Sequence, residues 1–214
     1  MKTHDIRSAD VQLLVDEIHR RVGTDWAKWP GGWPGEVEVA LIDAVLSIRA
    51  RYGSPDTGVR GAIGRYRNHS GRSGHLDDLS ALAATDPAEL AATLHNRQKV
   101  SGTFKADLIV LAAQGLLASG VDHAEDVHGD SADQRRAYTR IHGLGPVTWE
   151  YFTMLLGHPG VKADTWIVRF VQQAIGRSAS AGEAAALVKA AAAQLEKESS
   201  HLDHAIWSVA RRSG

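Results

Sequence analysis

Two glycines two positions apart, Gly143 and Gly145, interrupt a sequence that permits helix on both sides. Residues 131–140 are polar and compatible with a helix, and residues 147–155 carry apolar side chains at helical spacing. Because glycine allows a tight turn, the pattern predicts two helices joined by a hairpin, with Pro146 acceptable as the first residue of the second helix. The N–H groups and the positive dipole end of that helix would form an anion site suited to a phosphate.

A single carboxylate, Asp164, follows about twenty residues later, after a loop with two glycines and a proline. Taken alone, Asp164 is most economically a helix N-cap, since a carboxylate there accepts hydrogen bonds from the first amides of a helix. A fixed carboxylate can also stabilise positive charge that develops in a transition state. The local sequence leaves both roles open.

The spacing of the two motifs resembles a known family. GLGxxT followed by ADTxxxR is similar to the pattern of the helix-hairpin-helix (HhH-GPD) DNA glycosylase superfamily, which includes endonuclease III-like enzymes. The resemblance extends from about Val37 to Ala210, and its specific motifs lie in the hairpin and the aspartate segment. The matching residues are Ile141, Gly143, Leu144, Gly145, Thr148, Asp164, Thr165, Val168 and Arg169.

This resemblance implies an all-α fold of two helical lobes with a central cleft. One glycosylase domain of residues 1–214 would comprise a helical barrel at 36–157, which carries the hairpin, and a second lobe formed by 1–35 with 158–214. Asp164 would stand at the mouth of the cleft, where a nucleotide extruded from the stack can enter. The sequence itself agrees with an all-α fold, because no strand-like alternation of useful length occurs.

The resemblance also assigns roles to individual residues. Asp164 would be the catalytic carboxylate, which stabilises the positive charge that builds on the sugar as the N-glycosidic bond breaks. A structural Na⁺ or K⁺ would be held at the hairpin by the backbone carbonyls of Thr139, Ile141 and Leu144, and no other cofactor is required. The expected DNA-binding residues are Gly143, Leu144, Gly145, Val147, Thr148 and Arg49.

Three departures from the family pattern affect the expected chemistry. Bifunctional members carry a lysine nucleophile immediately before the threonine, but this chain has Val147 there. We therefore expect a monofunctional enzyme without lysine-dependent AP lyase activity. Pro146 removes one N–H group from the hairpin, and Trp149 replaces a small alanine, which implies altered packing or a reshaped pocket edge.

Arg49 lies near the end of a predicted helix at residues 36–50, which resembles the family helix that leads to the residue filling the gap left by an extruded base. It is either an ordinary surface arginine or a wedge that enters the duplex, since arginine can stack or hydrogen-bond there. For the base pocket, Trp166, Trp149 and Trp33 are the candidates, and Trp166, two residues beyond Asp164, is the best of them, although packing in the core explains each of the three more readily.

The composition of the chain excludes several kinds of site and argues against one class of DNA-binding protein. The absence of cysteine excludes disulfides, thiolate nucleophiles and a cysteine-ligated iron–sulfur cluster. No apolar run reaches membrane-spanning length and no secretion signal begins the chain, so a cytoplasmic, nucleoid-associated protein is expected. A monomer is also expected. The net charge of −1 argues against a protein that coats DNA nonspecifically, although six arginines between residues 47 and 72 face only one acid, Asp56.

Together these observations predict a monofunctional DNA glycosylase of base excision repair. Its partner would be double-stranded DNA with a damaged or modified base, which the enzyme flips out before it hydrolyses the N-glycosidic bond. An alternative is a non-catalytic protein that binds damaged DNA on the same scaffold. A third interpretation, an enzyme of DNA defence or base modification, has the same sequence features.

Overall fold

The computed structural model of the protein describes residues 6–26, 29, 31–50 and 53–212. Within these residues the regular secondary structure is α-helical, apart from one two-stranded β-hairpin and one short 3-10 helix. This confirms the predicted all-α fold. The α-helices are α1 Ser8–Arg21, α2 Val37–Leu46, α3 Gly58–Ser70, α4 Leu79–Ala84, α5 Pro87–Leu94, α6 Lys105–Leu117, α7 Ala132–Thr139, α8 Pro146–Leu155, α9 Thr165–Ile175, α10 Ala181–Gln194 and α11 Ser199–Ala210. The 3-10 helix is Ala124–Asp126.

Residues 31–158 form one compact unit, here called the central unit, which is built around α2. Every residue of α2 is buried, because the helix is apolar on nearly all sides and other helices cover it. It packs against α6 and α8, while α3 and α4 make further contacts with it. The two helices that flank the glycine pair, α7 and α8, belong to this unit and pack against each other.

Two acids of α2, Glu38 and Asp43, are buried, which is costly unless they are hydrogen-bonded. Glu38 accepts hydrogen bonds from the Tyr66 hydroxyl at 2.6 Å, from Arg72 Nη2 at 2.5 Å and from the Asp78 amide at 2.9 Å. Burial and the neighbouring Glu38 carboxylate raise the pKa of Tyr66, so the phenol remains a donor. The Glu38 carboxylate therefore ties α2 to α3 and to the start of α4.

A short antiparallel β-hairpin immediately precedes α6. Strand β1 (Lys99–Val100) pairs with β2 (Thr103–Phe104), with Lys99 opposite Phe104. The turn residues Ser101 and Gly102 have φ values of 51° and 90°, as a two-residue hairpin turn requires. Helix α6 begins directly after this hairpin, at Lys105.

Residues 1–30 and 159–214 form the second compact unit, here called the terminal unit, of which residues 6–26, 29 and 159–212 are described. Helices α1, α9, α10 and α11 pack around an apolar core. None of the described helices in either unit combines the length and the apolar character that a membrane span requires.

Candidate functional site

The glycine hairpin, residues 140–145, joins α7 to α8 as the sequence predicts. Gly143 has a φ of 104°, a conformation that other residues rarely adopt. A Cβ atom at this position would lie 3.3 Å from Val100 Cγ1, so the β-hairpin packs directly against the glycine backbone. Both the conformation and the close approach explain why position 143 is glycine.

Gly145 is different, because neither its conformation nor its neighbours require glycine. Its φ of −137° is extended backbone, and a Cβ atom would meet nothing within 4 Å. Its amide donates to Thr148 Oγ1 at 3.0 Å, and the Thr148 hydroxyl donates to the Gly145 carbonyl at 2.8 Å. The missing side chain leaves open space over the start of α8, where an external group could approach the backbone.

The amides that remain for an anion differ from those that the motif alone suggests. Gly145 N–H is already bonded, Pro146 has no N–H, and Leu144 N–H donates to the Ile141 carbonyl at 3.0 Å. Among the described residues, no acceptor takes the amides of Gly143 and Val147. Since Val147 lies in the first turn of α8, its amide stands at the positive end of the helix.

Three carbonyl groups at the hairpin retain lone pairs for the monovalent cation that the resemblance implies. The Ile141 carbonyl accepts one hydrogen bond, from Leu144 N–H, and a carbonyl oxygen has two lone pairs. The carbonyls of Thr139 and Leu144 accept no hydrogen bond from any described residue. In the described chain, no group of three or more acidic, histidine or cysteine side chains could hold a metal ion instead.

Trp149 lies in the core of the central unit and is only 1% exposed. Its ring packs against Tyr138 and Phe152 with centroid distances of 5.6 and 5.8 Å, and its Nε1 donates to the Gly129 carbonyl at 3.3 Å. The indole that replaces a small residue therefore fills the space between α7 and α8. It offers no surface to a base, and Leu144, which is also buried, contributes only its backbone to the hairpin surface.

Trp33 is half-buried and held on two sides. Its Nε1 donates to Asp43 Oδ2 at 2.9 Å, and the Arg67 guanidinium lies over its ring at 5.2 Å. Asp43 Oδ1 also accepts from the Ser47 hydroxyl at 2.9 Å and from the Tyr151 hydroxyl at 3.3 Å. The buried Asp43, which has no evident role in the sequence, is thus an acceptor that fixes the indole.

Arg49 lies beyond the end of α2, because that helix ends at Leu46 and not at residue 50 as predicted. Its backbone is left-handed, with a φ of 50°, and the residue is exposed. The carbonyls of Leu46 and Ile48, immediately before it, accept hydrogen bonds from the side chain of Lys105. Arg49 therefore projects from a loop that another helix holds in place.

In the terminal unit, Asp164 is the N-cap of α9, as the local sequence predicts. Its Oδ1 accepts from the amides of Trp166 at 2.8 Å and Ile167 at 3.2 Å. Its Oδ2 has no hydrogen-bond donor among the described residues, and the residue is half-buried. One oxygen thus anchors the carboxylate, while the other makes no hydrogen bond within the described part of the chain.

Trp166 follows in the first turn of α9 and is half-buried. The guanidinium of Arg169 lies 5.8 Å from the centre of its ring, on the exposed side of the helix. Trp166 packs against the core of the terminal unit and keeps part of its surface uncovered, as Trp33 does in the central unit.

Solved structures of DNA glycosylases share this fold, although their sequences are distant. The matching structures include Helicobacter pylori 3-methyladenine DNA glycosylase (MagIII) bound to 1,N6-ethenoadenine, with a TM-score of 0.68, 12% identity, and coverage of 96% of this chain and 98% of that one. A complex of MBOgg1 with a low-affinity DNA ligand matches with a TM-score of 0.59 and 15% identity, covering 95% of this chain and 67% of that one. The Clostridium acetobutylicum 8-oxoguanine glycosylase/lyase, in complex with double-stranded DNA containing cytosine opposite 8-oxoguanine, matches with a TM-score of 0.60, 11% identity, and coverage of 94% and 67%.

These similarities define the fold as that of the helical DNA glycosylases. The sequence also matches the model of the family described as "Domain of unknown function (DUF8548)" over residues 12–211, so the chain belongs to that family. No curated protein matches the sequence.

Proposed function

We propose that this protein is a monofunctional DNA glycosylase of base excision repair, which flips a damaged or modified base and hydrolyses its N-glycosidic bond. The observation that carries the proposal is the geometry of Asp164. Its Oδ1 is fixed by two amides of α9, while Oδ2 has no donor among the described residues. The fold shared with DNA glycosylases and the family-like motifs GLGxxT and ADTxxxR support the same conclusion.

In this proposal the C1′–N bond breaks and its electron pair leaves with the base. The sugar becomes positively charged, and the Oδ2 atom of Asp164 stabilises that charge. A water molecule then supplies the new C1′–O bond, while its proton goes to the carboxylate or the departing base. The products are a free base and an abasic site in an intact strand.

The strand remains intact because no amine is available at the position used by bifunctional relatives. Val147 occupies that position, in the first turn of α8, and its side chain cannot form a Schiff base with the sugar. We therefore expect hydrolysis of the base alone.

DNA contacts follow from the free donors of the central unit. A phosphate would bind the amides of Gly143 and Val147, and the open space over Gly145 would let it approach. A Na⁺ or K⁺ held by the carbonyls of Thr139, Ile141 and Leu144 would add positive charge beside this phosphate. Arg49 would enter the duplex where the nucleotide leaves.

The proposal is tested by incubating the purified protein with a panel of duplexes that each contain one modified base. Uracil, hypoxanthine, 1,N6-ethenoadenine, 3-methyladenine, 8-oxoguanine and mismatched adenine would each be included. Strands are analysed directly and after hot alkali, which cleaves abasic sites. Cleavage only after alkali is the expected result, while cleavage without alkali would contradict the argument from Val147.

A non-catalytic protein that binds damaged DNA is the second candidate, and one observation favours it. Two of the hairpin positions, Gly145 and Pro146, provide no free amide, which reduces the number of phosphate contacts. Asp164→Asn separates the two candidates, because it removes the charge and keeps an oxygen to cap α9. An enzyme loses at least about a hundredfold in base release and keeps its affinity for DNA, whereas a pure binding protein is unchanged in both measurements.

A further inference from the structure

Lys105, the first residue of α6, is buried with 1% of its surface exposed. Its ammonium donates hydrogen bonds to the carbonyls of Leu46 and Ile48, each at 2.8 Å, and to Gln98 Oε1 at 2.7 Å. All three of its N–H donors are therefore used. No described carboxylate forms an ion pair with it, so three uncharged oxygens hold the ammonium group.

A buried ammonium without a counter-ion is unusual because its desolvation is expensive. Burial lowers the pKa of Lys105 to about 8, which is the direction expected from desolvation. Methionine or leucine would fill the same volume without this cost. The lysine is therefore best explained by what its three hydrogen bonds hold in place.

Two of those bonds act on the end of α2. The last carbonyl groups of a helix have no partner within the helix, and a cation is favourable beside them. Lys105 satisfies the Leu46 carbonyl, at the last residue of α2, and the Ile48 carbonyl two residues later. The next residue is Arg49, whose left-handed backbone turns the chain away from the helix axis.

The third bond connects the same ammonium to the β-hairpin. The backbone amide of Lys105 donates to the Gln98 carbonyl at 2.9 Å, so Gln98 is bound through both its backbone and its side chain. Within the β-hairpin, Val100 packs against Gly143. The Arg49 loop, Lys105, the β-hairpin and the glycine hairpin thus form one continuous series of contacts inside the central unit.

We propose that Lys105 is a positioning residue that holds the Arg49 loop in the conformation in which the Arg49 side chain occupies the gap left by an extruded nucleotide. This inference rests on the proposed function, because it needs a duplex with a nucleotide out of the stack. The preference for DNA with an extruded nucleotide would then depend on two residues. Arg49 contacts the DNA, whereas the buried Lys105 does not.

The experiment is a double-mutant cycle with Lys105→Met and Arg49→Ala. The ligand is a duplex that contains one tetrahydrofuran abasic-site analogue, and the matched undamaged duplex is the reference. The measured quantity is the ratio of the two dissociation constants. We expect Arg49→Ala to reduce this preference about fivefold or more, and Lys105→Met to do the same in the wild-type background but to have no effect when Arg49→Ala is already present.

If Lys105 only stabilised the fold, the double-mutant cycle would give a different result. If Lys105→Met lowers the preference equally with and without Arg49→Ala, or in neither background, the inference is overturned. Leu82→Ala serves as the control, because Leu82 is fully buried in α4, takes no part in the hydrogen bonds of Lys105, and its truncation destabilises the same unit. It should lower the melting temperature and leave the preference for the abasic duplex unchanged.

If the Lys105→Met variant does not fold, Gln98→Ala replaces it in the double-mutant cycle. Gln98 is exposed, and its truncation removes one of the three acceptors of the ammonium group. We expect a smaller loss of preference that is again absent in the background of Arg49→Ala, and an equal loss in both backgrounds would overturn the inference. A wild-type protein without any preference for the abasic duplex would overturn the proposed function as well, whereas a preference with independent effects would overturn only the role of Lys105.

Discussion

The two carboxylate oxygens of Asp164 have different surroundings. One oxygen can therefore cap helix α9 while the other is left for chemistry. Oδ1 accepts two amide hydrogen bonds at the start of α9, as an N-cap does. Oδ2 has no donor in the described part of the chain. Capping therefore orients the group that we propose to face the sugar, and the two roles do not exclude each other.

A stability measurement on two variants of Asp164 checks this division. Asn caps a helix about as well as Asp, so Asp164→Asn should change the free energy of unfolding by less than about 0.5 kcal/mol. Asp164→Ala removes the acceptor, and it should cost about 1 kcal/mol. Both variants should lose base release to a similar extent. Urea unfolding provides the free energies, and equal destabilisation by Asn and Ala would show that the negative charge itself stabilises α9.

At the scale of elements, the two glycines of the hairpin have different roles. Alanine substitution at each position should therefore have different effects on stability. Gly143→Ala should destabilise the protein by about 2 kcal/mol or more, since the backbone is left-handed and Val100 leaves little room. Gly145→Ala should cost less than about 1 kcal/mol, because the backbone is extended and the added methyl group meets no atom.

Gly145→Ala should affect DNA binding more strongly than it affects stability. The methyl group of Gly145→Ala would occupy the space through which a phosphate approaches α8, so affinity for a duplex with a tetrahydrofuran site should fall about tenfold. Urea unfolding and fluorescence anisotropy measure the two properties on the same samples. Unchanged affinity in Gly145→Ala would place the phosphate elsewhere on the protein.

The glycine hairpin and the cap at Asp164 could be predicted because their signals are local. Glycine spacing and an aspartate before an apolar helix determine backbone conformation within a few residues. The end of α2 could not be predicted in this way, because the group that holds it, Lys105, lies 59 residues from Leu46. A lysine at the start of an otherwise apolar helix and the Ser101-Gly102 dipeptide were the available signals for Lys105 and the β-hairpin.

The environments of the tryptophan side chains could not be predicted from the local sequence either. In the sequence, Trp149, Trp33 and Trp166 are all candidates for a base pocket, and Trp166 is the best of them because it lies two residues beyond Asp164. Tertiary packing buries the first, hydrogen-bonds the second to Asp43 and leaves the third partly uncovered. Burial of a tryptophan depends on neighbours that are distant in sequence, so its spacing along the chain cannot distinguish these three environments.

At the scale of the whole molecule, the arginine-rich segment between residues 47 and 72 provides less free positive charge than its composition indicates. Arg67 is paired with Glu36, and Arg72 is paired with the buried Glu38. Arg65 donates to the Leu94 carbonyl at 2.9 Å. Among the described arginines of this segment, Arg49 and Arg60 are exposed and have no such partner. Three of the five described arginines of this segment therefore stabilise the fold, and two face solvent.

This distribution of charge predicts a weak dependence of DNA binding on salt. Each phosphate neutralised by a basic side chain contributes about −0.9 to the slope of log K against log salt concentration, and backbone amides release few counterions. With Arg49, Arg60 and a net charge of −1, the slope should be shallower than about −3. Titrations of the tetrahydrofuran duplex between about 50 and 200 mM KCl measure it. Arg60→Ala should reduce the slope by about one without changing the preference for the abasic duplex, whereas a steep slope in the wild type would mean that a different basic surface binds the DNA.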